Sequence, residues 1–329
     1  MAGFLQPLAP AMLLSTLIFL LGLLVLVVGA ELFLRGAVAA GFRLGMSPFM
    51  IGVVIVGFGT SAPELAVNVS AALGGSTDMA LGNIVGSNIA NVGLILGLSA
   101  LIRPLAVQMR LLRIETPVMI LASLFLWWLC FDGGVRRIEG VLLLLGFLLM
   151  SVVIGRKAKD EPEEVQSELS ANPAMARRLP VALALLVLGL TALIGGAELM
   201  VRAAVDLARG FGVSELLIGL TIVAIGTSLP ELASSLVAAW RGYNDVVLGN
   251  IIGSNLFNIL LILGATALIR PLPAPAELVY QQVPVMVGFA VVLWVMMARR
   301  VRVSRRSGVM LLLAYGVFLA WQIAIALSA

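Results

Sequence analysis

Two stretches decide the fold. Gly59–Leu105 reads GTSAPELAVNVSAALGGSTDMALGNIVGSNIANVGLILGLSALIRPL, and Gly226–Leu272 reads GTSLPELASSLVAAWRGYNDVVLGNIIGSNLFNILLILGATALIRPL. Laid side by side at an offset of 167, they agree at 29 of 47 positions without a gap. The match runs upstream: Gly29-Ala30-Glu31 answers Gly196-Ala197-Glu198, and Arg35 answers Arg202. A shared bias toward Leu, Val and Ala could not produce this. The shared residues are Thr, Ser, Pro, Glu, Asp, Asn and Gly, which a lipid-facing helix avoids.

The surroundings of the repeat are membrane-like. Of 329 residues, 61% are hydrophobic and 12% charged, against about 45–50% and 25% in soluble domains. Mean hydropathy is +1.12. So few charges cannot cover a soluble globule. The apolar runs are continuous rather than alternating, which excludes an outer-membrane barrel and requires helices that satisfy their own backbone groups. Ten runs approach the length of about 20 residues that a crossing needs: 11–34, 46–73, 79–101, 113–131, 138–154, 180–201, 213–240, 246–269, 279–298 and 308–327. The first basic residue is Arg35, so no charged head precedes the first run, which reads as a true span rather than a signal peptide.

Five spans separate equivalent points of the repeat. Five is odd, so the halves cross in opposite directions. The expected fold is therefore an all-α integral membrane protein of ten transmembrane helices. Two inverted five-helix repeats, 1–154 and 180–329, flank a solvated linker at 155–179. Inverted repeats characterise secondary transporters, whose sites lie near the midplane. Orientation follows from basic residues: with the N-terminus outside, 16 of the 21 Lys and Arg fall in inside loops. Both termini are expected outside and the linker in the cytoplasm. The net charge of +4 thus sets topology and does not point to nucleic acid.

Composition also removes chemistry. There is no histidine, so no His metal site, Ser-His nucleophile or imidazole relay exists. The single cysteine, Cys130, can form no intrachain disulfide and reads as core filling.

What remains is oxygen chemistry at mid-span. Pro63 and Pro230 follow Gly59 and Gly226 in the second and seventh spans. Proline lacks the intrahelical donor and clashes with the preceding turn. Each helix should break there, freeing carbonyls around Gly57–Thr60 and Ala224–Thr227 to line a cavity. Glu64 and Glu231 follow the prolines directly. A charged side chain at the bilayer centre costs about 2.5–3.5 kcal/mol on insertion scales. No Lys or Arg lies in the central part of either span, so the partner must be a cation or a proton from outside. Thr60, Ser61, Thr227 and Ser228 add oxygens. So do the third and eighth spans, where Gly82-Asn83-Ile84-Val85-Gly86-Ser87-Asn88 pairs with Gly249-Asn250-Ile251-Ile252-Gly253-Ser254-Asn255, and Asn91 with Asn258. This donor set is hard and suits Ca²⁺ or Na⁺. The glycines permit close helix packing, with Asn83 and Asn250 read as packing residues. Glu31/Arg35 and Glu198/Arg202 read as i, i+4 ion pairs. Asp78 and Asp245 read as caps of the next helices, with an outer role in cation entry as the other reading.

The paired GTSxPE and GNIxGSNxxN segments resemble the alpha repeats of the sodium/calcium exchanger family, within the cation/Ca²⁺ antiporter superfamily, in its prokaryotic form. The resemblance covers about 29–105 and 196–272. It implies a Ca²⁺ site on Glu64 and Glu231 with the carbonyls of Thr60 and Thr227. It implies Na⁺ sites on the same pair with Ser61, Ser228, Ser87, Ser254 and the carbonyls of Gly57 and Ala224. Asn91 and Asn258 would complete the middle. Asparagine at 258, where some relatives carry Asp, argues against K⁺ co-transport. The linker is too short for the Ca²⁺-sensing domains of animal relatives. By the same resemblance, the first and sixth spans are the sliding pair.

Charge counting completes the reading. One Ca²⁺, two Na⁺ or two H⁺ would neutralise two carboxylates; an empty site carries −2 and should not cross the hydrophobic barrier. The expected function is Na⁺/Ca²⁺ exchange by alternating access in a prokaryotic inner membrane. The alternative is H⁺/Ca²⁺, or another cation/H⁺, antiport on the same scaffold: the Glu pair permits either, and the Ser/Asn set favours Na⁺. A channel or an intramembrane hydrolase fits poorly. A channel is more naturally a symmetric ring of subunits, and a hydrolase would need a histidine or a mid-span Asp pair. No enzyme activity, cofactor, protein partner or nucleic acid is called for.

Overall fold

The computed structural model of the chain describes residues 10–75, 77–157, 178–213, 218, 221–222 and 224–328. Most of the 155–179 linker, and the side chain of Asp78, lie outside these residues.

The helices follow the apolar runs. The first half contains α1 (Pro10–Arg43), α2 (Pro48–Thr60), α3 (Ala62–Gly74), α4 (Ala80–Ile102), α5 (Leu111–Phe131) and α6 (Arg137–Lys157). The second contains α7 (Leu179–Gly210), the single turn α8 (Ala224–Gly226), α9 (Leu229–Arg241), α10 (Asn244–Ile269), α11 (Leu278–Arg300) and α12 (Arg305–Ser328). Among the described residues, seven helices are long and apolar enough to cross a membrane, and the bent pair α2–α3 makes an eighth crossing. With α6 and the described part of the seventh span, α8 and α9, they occupy all ten expected places.

Helices α1 and α7 run nine residues past their expected ends, to Arg43 and Gly210. Their last turns carry alanines and charged residues, good helix formers that need no lipid. At 1.5 Å per residue, α1 is about 50 Å long and exceeds the roughly 30 Å hydrocarbon layer.

Burial separates a lining from an envelope. The apolar window of α10 is 94% buried and that of α4 78%, against 17% for α12. The two helices with the GNIxGSN segments therefore form the centre. Leu13, Leu17, Leu20, Leu24 and Val27 of α1 are exposed, as side chains meeting lipid tails should be.

Small residues set how closely the envelope packs. A Cβ on Gly29 would stand 2.6 Å from Leu193 N, one on Gly36 2.4 Å from Leu186 N, and one on Gly189 2.1 Å from Phe33 N. The backbones of α1 and α7 therefore touch along a heptad of glycines. Between helices in lipid, such approach supplies the attraction that hydrophobicity cannot.

The halves are tied at both ends by exchanged strands. β1 (Leu105–Ala106), leaving the first repeat, pairs antiparallel with β4 (Arg302–Val303); β2 (Gly134–Val135) pairs with β3 (Leu272–Pro273). Each two-stranded sheet takes one strand from each half, so the halves form one unit.

Gly189→Val should therefore separate α1 from α7, and detergent-solubilised protein should lose its monodisperse peak or melt well below the parent. Overpacking of this kind costs about 1–3 kcal/mol or more. Gly195→Ala, with nothing within 4 Å of the new Cβ, should melt with the parent.

Candidate ion-binding site at the midplane

The site begins where two helices fail to continue. In the second span the helix stops at Ser61 (φ −82, ψ −1) and restarts as α3, bent by 40°. In the seventh it stops at Ser228 (φ −94, ψ 7) before α9. Pro63 and Pro230 occupy the first turn of the restarted helices, where a missing N–H costs nothing. Neither proline can donate to the carbonyl one turn earlier, that of Gly59 or of Gly226.

The break does not free the carbonyl of Gly57 from the helical ladder. Its carbonyl accepts Ser61 N at 3.0 Å and lies 3.4 Å from Thr60 Oγ1, so the first half-helix keeps its ladder to the last residue. In the second half Ser228 N turns to Ile225 O at 3.1 Å, not to Ala224. The two breaks differ by this one tightened turn.

Glu64 and Glu231 fall in the first turns of α3 and α9. The positive ends of both helix dipoles thus face the membrane middle, where they favour negative charge. Both side chains are 1% exposed and lie within each other's direct electrostatic reach. Ser61 donates to Glu231 Oε1 at 3.0 Å and stands 3.1 Å from Ser254 Oγ. Ser228 Oγ is 3.4 Å from Ser87 Oγ. Each half thus sends the serine of its break across to the other half. Among the described residues, no Lys or Arg forms an ion pair with either glutamate.

Around the pair, acceptors outnumber donors. Both carboxylate oxygens of Glu64, Oε2 of Glu231, Oδ1 of Asn258 and both amide atoms of Asn91 are buried without a hydrogen-bond partner. Asn258 spends its amide nitrogen on Asn88 Oδ1 at 3.0 Å. Buried polar atoms are nearly always paired, and a cluster of unpaired acceptors is chemically a socket for a proton or a hard cation. Among the described residues, no group of three or more His, Cys, Asp or Glu side chains is placed to hold a metal. Two acids completed by neutral oxygens remain, a set suited to Na⁺ or Ca²⁺.

The expected residues otherwise divide by role. Thr60 Oγ1 binds back to Val56 O at 3.0 Å and lies 3.4 Å from Asn250 Oδ1. Thr227 Oγ1 donates to Asn83 Oδ1 at 3.3 Å. Asn83 and Asn250, read from sequence as packing residues, touch the threonines of the opposite repeat. Asn68, Ser234 and Ser235, one turn beyond the glutamates, escaped the sequence reading: Asn68 donates to Glu64 O at 2.7 Å and Ser234 to Glu231 O at 3.0 Å. Their helical spacing from the acids was a usable signal. They differ between the halves, so comparing the repeats hid them.

Glu31, Glu198 and Asp245 find their partners elsewhere. Glu31 pairs with Arg35 at 2.5 Å and also with Arg241, and Glu198 pairs with Arg202. Asp245 is not a cap: it sits inside the first turn of α10 and accepts Gln108 Nε2 at 2.9 Å.

The sodium/calcium exchanger protein family matches residues 14–155 and 181–324. The chain belongs to this family. The sodium/calcium exchanger MaX1 of Methanosarcina acetivorans is 31% identical over 338 residues, covering 92% of this chain and 97% of its own. Inner membrane protein YrbG of Escherichia coli is 40% identical over 264 residues, 79% of this chain and 81% of its own. Among solved structures, the sodium-calcium exchanger NCX_Mj superposes with a TM-score of 0.81 at 34% identity, over 94% of this chain and 99% of its own. This exchanger is thus an all-α integral membrane protein built from two inverted five-helix repeats with helices broken at the midplane.

If the unpaired acceptors are an ion socket, Ca²⁺ should stabilise the protein. At a hundred times its dissociation constant the gain is about 2.7 kcal/mol, read as a rise in melting temperature in detergent. Glu64→Gln should abolish the rise while leaving the ion-free melting temperature no lower.

Proposed function

We infer that this exchanger is a secondary active transporter that moves Na⁺ against Ca²⁺ by alternating access. The observation that carries the reading is the pair of buried glutamates with no cationic side chain beside them. Together they carry −2 when ionised. One Ca²⁺ cancels that charge, and so do two Na⁺. The loaded site can pass the hydrophobic barrier and the empty site cannot, so the flow of one ion is tied to the flow of the other.

In this reading Glu64 and Glu231 bind both ions. The carbonyls of Thr60 and Thr227 join them for Ca²⁺. Ser61, Ser228, Ser87, Ser254 and the carbonyls of Gly57 and Ala224 serve Na⁺, and the amides of Asn91 and Asn258 close the middle. The unpaired oxygens of Glu64, Glu231, Asn91 and Asn258 support this assignment. The halves 1–154 and 180–329 act as the two counter-oriented units, and 155–179 joins them in the cytoplasm. The basic-residue asymmetry supports an N-terminus and C-terminus outside a prokaryotic inner membrane.

Purified protein in liposomes should take up Ca²⁺ when Na⁺ is higher inside than outside. Uptake driven by a pH gradient alone, with Na⁺ without effect, would replace this reading with H⁺/Ca²⁺ antiport. Glu64→Gln and Glu231→Gln should each insert normally and lose exchange by at least a hundredfold; a double variant that still exchanges would refute the site. A reporter enzyme active only outside the cytoplasm should work when fused after Ala329.

A further inference from the structure

The two halves differ in one set of hydrogen bonds beside the glutamates. In the second half, Asn250 Nδ2 on α10 donates to Ser235 Oγ on α9 at 2.8 Å and lies 3.4 Å from Ser234 Oγ. These bonds pin α10 to the helix that carries Glu231. At an offset of 167 the corresponding residues are Asn83 on α4 and Asn68 on α3, with Val67 in place of Ser234. There the bond is not made. Asn83 Nδ2 and Asn68 Oδ1 are both buried without a partner.

These unpaired atoms are complementary. Asn68 has committed its Nδ2 to Glu64 O, so an acceptor is left over. Asn83 has committed its Oδ1 to Thr227, so a donor is left over. They stand on neighbouring helices in the relation that, in the other half, gives a 2.8 Å bond. Burial differs in the same sense. Asn250 and Thr60 are buried, whereas Asn83 and Thr227 are half-buried. The side with the unmade bond is the less buried side.

In an inverted repeat, the two access states are related by exchanging the conformations of the halves. We propose that Asn250–Ser235 and Asn83–Asn68 are alternating latches, one made in each access state, and that these four are positioning residues which set the balance between the two states. In the structure the second-half latch is closed and the first-half latch open. In the opposite state Asn83 donates to Asn68, while Asn250 leaves Ser234 and Ser235. This mechanism rests on the alternating-access reading, adds no ion ligand, and explains why a buried donor and a buried acceptor are left unpaired on neighbouring helices.

The test measures the Ca²⁺ KM at each face, in right-side-out and inside-out vesicles carrying the full chain. Favouring one access state raises apparent affinity at its face and lowers it at the other. Asn68→Ala removes the latch of the opposite state and should shift the ratio of the two KM values by roughly three- to tenfold, the range for one hydrogen bond. Ser234→Ala with Ser235→Ala should shift it the opposite way. Asn83→Ala should move with Asn68→Ala and provides the reading if that variant does not fold. Asn68→Ser, carrying the residue of the other half, should return the ratio toward the parent. A ratio that stays fixed while exchange continues, or that both groups move in one direction, overturns the latch. Failure of Na⁺ to drive the parent would instead count against the counter-ion, since the ratio can be read under a pH gradient as well.

Discussion

Two carboxylates held in the middle of a membrane without a protein cation are the constraint on which the rest of the structure depends. Each side chain alone would cost about 2.5–3.5 kcal/mol on insertion scales. The chain offsets part of this by starting a helix at each acid. The breaks at Ser61 and Ser228 turn the N-termini of α3 and α9 toward the centre, and a helix N-terminus carries roughly half a positive charge. Ser61 contributes one hydrogen bond to Glu231. In the proposed function the remainder falls to the transported ion, and this unmet charge requirement ties the site to cations.

Duplication builds such a site with little sequence. One GTSxPE break and one GNIxGSN helix, used twice in opposite directions, give two helix N-termini, two acids and two sets of hydroxyls facing each other. The architecture enforces the meeting. Strands β1 and β3 cross into the other half, and α4 and α10 are buried where the halves touch. Around this centre the glycine contacts of α1 with α7 form a separate, smooth interface.

Symmetry is informative here where it fails. Ser61 keeps a helical bond to Gly57, while Ser228 tightens to Ile225. Glu31 reaches both Arg35 and Arg241, while its counterpart Glu198 holds only to Arg202 among the described ion pairs. Both α4 and α10 widen into a π-helical turn beside the site, at Asn91–Ile95 and Phe257–Ile262; such turns are frequent at functional sites. Two sequences that agree at 29 of 47 positions thus hold two different local arrangements, as a protein that alternates between two states requires.

The amino-acid sequence alone determined the membrane environment, the places of the ten spans, the inverted duplication and the two acids. These follow from hydropathy, from an odd number of crossings and from the cost of charge in lipid, none of which needs coordinates. It underestimated α1 and α7, because helix beyond the membrane leaves no hydropathy signal. It misread the Gly57 carbonyl as freed, because a proline removes the donor for the residue four before it, Gly59, and leaves the ladder intact up to Ser61. Only the tertiary structure decided which polar atoms find partners. Asn83 and Asn250 look like packing residues in a linear reading and Asn68 and Ser235 drew no reading, since a side chain's hydrogen bond depends on the distance between helices that sequence spacing does not fix.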